Sequence, residues 1–110
     1  NWAAISNNTA SGQQWVYVSR TGTASSSLMY IYLEAAGDVY IDDLKLVSGT
    51  VPEVGANVLA DGDFESALSG PWTVSPILLG SALSTTLKHS GAASLHVVAS
   101  GSGSSQGTAI

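Results

Sequence analysis

Apolar and polar residues alternate at period two along this chain, in short runs separated by turn residues, and that alternation limits its fold more than any other property. Gln14-Trp15-Val16-Tyr17-Val18-Ser19 is aromatic and β-branched and stops at Arg20-Thr21-Gly22. Leu28 to Leu33 puts Met29, Ile31 and Leu33 on one face, and Leu28, Tyr30 and Tyr32 on the other. After Ala36-Gly37-Asp38, Val39 to Val47 reads as a third strand. Shorter strands are expected at 57–59, 71–74, 83–87 and 93–98, with another beginning at Thr108. No stretch of ten or more residues sustains a capped helical period. Strands at roughly 8–12-residue spacing point to an all-β, antiparallel sandwich or jelly roll.

The third strand is out of phase with itself. Val39 and Ile41 share one face, Leu44 and Leu46 share another, and one extra residue at Asp42-Asp43 would bring all four to the core side. A β-bulge supplies such a residue; a strand buried on both faces would remove the need for one.

Composition narrows the function. Only 10% of the 110 residues are charged, against 45% hydrophobic, so Ser, Thr, Asn, Gln and Gly must hydrate the surface. The formal charge is −5, and the three cations, Arg20, Lys45 and Lys88, do not cluster. Phosphate backbones are bound by clustered cations, so nucleic acid and anionic membrane surfaces are poor partners. No apolar run approaches the roughly 20 residues of a spanning helix. With no cysteine there is neither disulfide nor thiolate chemistry. Asn7-Asn8-Thr9 meets the glycosylation pattern, a weak hint of export. No basic-plus-apolar signal segment stands at Asn1, so a processed or excised piece is expected.

Catalytic signatures are sparse. No G-x-S-x-G elbow accompanies the many serines, and His89 and His96 lie in unrelated contexts, a turn and a strand. His96, opposite Leu95 and Val97, is expected at the surface. The glycines near the C-terminus sit in a Ser-rich loop without a strand-to-helix context. No enzyme activity is expected.

Three segments carry a family resemblance. Asn57-Val58-Leu59-Ala60-Asp61-Gly62-Asp63-Phe64-Glu65, followed by Trp72, resembles the opening "N-L-x-N-G-D-F-E…W" of galactose-binding-like jelly rolls, the fold of carbohydrate-binding module families 4, 9, 16 and 22. Lys88-His89-Ser90-Gly91 with Ser94-Leu95-His96-Val97 is similar to their "H-S-G-x-x-S-L-x-V" strand. Gly37-Asp38-Val39-Tyr40-Ile41-Asp42-Asp43-Leu44 resembles their closing strand, "G-x-x-Y-I-D-D-V".

The order departs from the family's, because the closing element precedes the opening one. Residues 1–50 read as the C-terminal half of one module and residues 57–110 as the N-terminal half of the next. The composition shift from Ser48 to Ala56, around Pro52, holds the linker, residues 51–56. Three arrangements fit this order: a fragment across a module junction, a permuted unit whose halves close on each other, or a sandwich completed by a neighbouring chain.

The resemblance implies a secreted or surface-borne carbohydrate-binding module with a structural calcium ion. The matching metal positions are Glu65 and Asp42 or Asp43, with Asp63 as a helper; solvated turn carboxylates are the plainer alternative. A glycan platform is expected from Trp15, Tyr17, Tyr30 and Tyr32, since pyranose C–H faces stack on exposed aromatic rings; packing in a second layer is the alternative. Trp72 is expected in the core. The competing function is a structural repeat that assembles head-to-tail into an extracellular fibre or array.

Overall fold

The computed structural model describes residues 14–31, 33, 35–74, 78–100 and 108–109. Among these residues the regular elements are five strands and no helix: β1 Leu28–Met29, β2 Gly37–Ile41, β3 Ala82–Ser84, β4 Ser94–Ala99 and β5 Thr108–Ala109. The all-β character is therefore present. It takes the form of one three-stranded and one two-stranded sheet among the described residues.

The strand β4 is central because its alternation is the cleanest in the chain. Leu95, Val97 and Ala99 are buried on one face, while His96 and Val98 are only half-buried. β2 pairs with it antiparallel from Gly37↔Ala99 to Ile41↔Leu95, and β3 from Ala82↔His96 to Ser84↔Ser94. This register sets Ile41 and Leu83 beside Leu95, so three strands present one apolar face. Ser81 prolongs the β3 edge with its side chain, accepting from Val98 N at 2.8 Å and donating to Val98 O at 3.4 Å.

Loops cover that face. Leu59, Phe64, Trp72 and Leu78 join Leu95, Val97 and Ala99 in the core, and Met29, Ile31, Leu33, Ile41 and Leu44 pack around them. Each fully buried side chain of this size contributes roughly 1.5–3 kcal/mol. The inward set Met29, Ile31 and Leu33 and the exposed Leu28 and Tyr30 follow the alternation of their segment. Trp72 is buried and its ring centroid lies 5.5 Å from that of Phe64.

Several expected strands are shorter or absent. Residues 14–19 form no strand; Trp15, Val16 and Tyr17 are exposed, so strand propensity there finds no core to face. Segments 57–59 and 71–74 are also irregular, apart from an isolated bridge between Ser69 and Trp72. The 39–47 strand ends at Ile41. Asp43 turns the chain with φ 51°, and Ile41 and Leu44 both reach the core on either side of the kink. The phase change is thus a strand end rather than a bulge within a continuous ladder.

Beyond the kink the chain runs back against 57–62. Leu44 N donates to Gly62 O at 2.8 Å, and Val58 N donates to Leu46 O at 2.9 Å. Asn57 fills the gap between these bonds: its Oδ1 accepts from Leu46 N and Leu59 N, and its Nδ2 donates to Leu44 O. Gly62 is buried there, where any Cβ would strike the Leu44 carbonyl. Segments from both sides of residues 51–56 therefore share one sheet and one core within a single chain.

Candidate functional site

The acidic turns converge on the loop between β3 and β4. Asp42, leaving β2, accepts at Oδ2 from His89 N at 2.7 Å and Ser90 N at 3.1 Å. Asp43 accepts at Oδ1 from the Ser90 hydroxyl at 2.6 Å and at Oδ2 from His89 Nδ1 at 2.7 Å. A carboxylate only accepts, so the His89 proton sits on Nδ1 in this arrangement. The Ser90 hydroxyl bond and then His89 hold the Asp43 carboxyl below its ordinary range.

Glu65 grips the same loop from the other side. Its Oε1 accepts from Ala92 N at 3.0 Å and Ala93 N at 3.2 Å, and its Oε2 from Ala92 N at 2.9 Å. Two amides on each side of Gly91 thus bind carboxylates from two distant segments. Gly91 makes the reversal with φ 62°.

The expected metal positions fall into separate roles. Asp42 and Asp43 face His89 and Ser90, Glu65 faces Ala92 and Ala93, and Asp63 accepts from Glu65 N at 3.4 Å. Among the described residues no three His, Asp or Glu side chains are close enough to share an ion. The donors these carboxylates meet are N–H and O–H groups.

Asp61 is a site residue outside the expected metal set, standing where the resembling pattern has Asn. Its Oδ1 accepts from Ser66 N at 3.1 Å, and its carbonyl accepts from Trp72 Nε1 at 3.1 Å, while Oδ2 is buried without a partner. Burial, reinforced by neighbouring Asp63, pushes its carboxyl up. The only signal in the sequence is its place before Gly62, since Asp tolerates the left-handed backbone (φ 52°) such a turn requires.

The platform residues that the structure describes are exposed to different degrees. Tyr17 is 70% exposed, Tyr30 51% and Trp15 41%. Tyr32 lies outside the described residues. Trp15 meets His89 edge-on, with ring centroids 5.7 Å apart and planes at 67°. On the outer face of the sheet, His96 stacks on Tyr40 at 4.2 Å and 2°, and its Nε2 pairs with Asp38 at 2.8 Å. Half-burial by Tyr40 replaces the plain surface position expected for His96.

Chemically, this is a set of fixed hydrogen-bonding groups beside exposed rings. The Ser90 hydroxyl donates to Asp43 and not to His89, so the three residues do not form a nucleophile relay. An apolar recess bounded by Ile31, Trp72, Val74, Leu78 and Val97 holds about 30 Å³, space for a water and not for a sugar ring.

The chain matches no known family, no curated protein and no solved structure. The jelly-roll likeness rests on its quoted segments alone. No helix among the described residues is long and apolar enough to cross a membrane.

Proposed function

We propose that this chain is a non-catalytic, extracellular carbohydrate-binding-like module of jelly-roll type, its two half-modules closing on one another as a permuted unit. The observation that carries the reading is the exposure of Trp15, Tyr17 and Tyr30 on a chain with few charges. Exposed aromatic side chains are costly to hydrate, and a polyhydroxylated ring offers them C–H faces with hydroxyls left for polar neighbours. The resemblance of the 37–44, 57–65 and 88–97 segments to the family's strands supports the same reading.

Affinity electrophoresis through gels cast with soluble polysaccharides tests it. Retardation of the intact chain, abolished when Trp15, Tyr17, Tyr30 and Tyr32 are all changed to Ala, supports the module. Free migration in every gel rejects it.

Calcium enters this proposal as a question for experiment. An ion at Asp42, Asp43, Asp63 and Glu65 would have to share or displace the N–H and O–H bonds that Asp42, Asp43 and Glu65 already accept. A melting temperature raised by calcium and lowered by chelator supports such an ion; an unchanged one removes it.

Open edges favour a second reading, a structural repeat assembling head-to-tail. Each of β2 and β3 pairs on one side only among the described residues, and Val51, Val54 and Leu79 are exposed. Concentration-dependent polymers in size-exclusion chromatography or negative-stain microscopy support assembly, whereas a monomer at all concentrations rejects it.

A further inference from the structure

The geometry points to a saccharide subsite at Trp15, His89 and Asp43, selective for neutral pyranoses; this deepens the carbohydrate-binding reading and rests on it. Trp15 supplies the flat apolar surface, being 41% exposed although one edge of the contact is taken by His89. The 67° angle between the rings makes a corner, so a sugar lying on the indole has the imidazole beside it rather than beneath it.

The polar side of that corner is rigid. His89 Nδ1 is tied to Asp43, and the main-chain nitrogens of His89 and Ser90 are tied to Asp42. With its proton on Nδ1, His89 presents Nε2 as an acceptor for a sugar hydroxyl. The imidazole is 57% exposed and the Asp43 side chain 42%, so both remain accessible. Asp43 retains lone pairs beyond those used by Ser90 Oγ and His89 Nδ1, enough to accept from a second hydroxyl. Groups held in place before binding lose little entropy when the ligand arrives.

Charge selects the class of sugar. Two adjacent aspartates line the corner, and the chain's formal charge is −5. Each of the three cations donates to a main-chain carbonyl, Arg20 to Ser19, Lys45 to Glu53 and Lys88 to Thr85, and among the described residues none is paired with Asp42 or Asp43. Uronic or sulfated rings would meet uncompensated carboxylates, whereas a neutral ring offers the hydroxyl donors these acceptors need.

The test compares Trp15→Ala, His89→Ala and Tyr30→Ala with the intact chain. The gels contain β-glucan, xylan or galactomannan as neutral probes and polygalacturonate as the acidic one. Near-UV circular dichroism, to which the buried Trp72 contributes, verifies folding. Retardation by a neutral polymer, weakened about tenfold by Trp15→Ala and by His89→Ala, supports the subsite. Should His89→Ala disturb folding, His89→Gln, which keeps a side-chain amide within reach of Asp43, takes its place. Loss on Tyr30→Ala with Trp15→Ala unaffected overturns the subsite and leaves carbohydrate binding standing. Stronger retardation by polygalacturonate overturns the neutral selectivity. Free migration of the intact chain in all four gels overturns both.

Discussion

The Glu65 carboxylate lies directly over Gly91, in the space a Cβ at that residue would fill, and bonds the amides of the next two residues. Glycine is needed there for two independent reasons, the positive φ of 62° and the passing carboxylate. The loop between β3 and β4 is thereby fastened to the 61–65 turn, just as Asp42 fastens it to the end of β2.

Gly91→Ala is expected to destabilise the fold by about 1–3 kcal/mol, because the new methyl is strained by the backbone and must push Glu65 off its amides. Glu65→Gln, which keeps one acceptor oxygen, should lose less. Urea denaturation of both variants checks the order. Equal midpoints for Gly91→Ala and the unmodified chain would contradict the contact.

Stability should fall on the acid side through Asp43. Its folded carboxyl lies below the ordinary aspartate value of 3.8, so its contribution is complete above that value and disappears as pH falls through the folded one. Asp43→Asn is expected to lower the neutral-pH midpoint slightly, since the pair is solvent-exposed, and to flatten the acid limb. Melting curves from neutral pH down to acid measure it; an acid limb identical in the two proteins rules the assignment out.

Asp61 has the opposite sign. Its carboxyl is pushed up by burial, so the charged form opposes folding at neutral pH and the penalty is relieved as pH falls through the raised value towards 3.8. Asn tolerates the same left-handed backbone, keeps the acceptor for Ser66 N and offers Asp63 an N–H donor where a carboxylate repels. Asp61→Asn should stabilise the chain at neutral pH by on the order of 1 kcal/mol, with the gain shrinking in acid. A lower urea midpoint at neutral pH would refute it.

The core should be intolerant where the chain is most strained. Phe64 is fully buried, contacts Trp72 and holds φ 55°, an unusual backbone for an aromatic residue. Phe64→Ala should cost about 3–5 kcal/mol, a large share of the 5–15 kcal/mol typical of a domain. Tyr17→Ala, at an exposed position, should change the midpoint little. Tryptophan fluorescence against urea reads both, and a small effect at Phe64 would place the core elsewhere.

Local periodicity alone is enough to locate part of this fold. Leu95 and Val97 alternate with His96, so a strand with one buried face is legible at 93–98 and stands at Ser94–Ala99; so are the inward Met29, Ile31 and Leu33, whereas the burial of Trp72 follows from the resemblance and not from any period. Asp42, Asp43 and Glu65 are visible as acidic turns, because turn residues declare themselves within a few positions. Partners 27 to 48 residues away do not. The folded chain was needed to bring Asp42 and Glu65 to the amides around Gly91, to stand Trp15 against His89 outside any strand, and to leave Asp61 with an unpaired buried oxygen. Strand propensity becomes a strand only where an edge is free to bond and a core is there to cover, and both depend on where distant segments have packed.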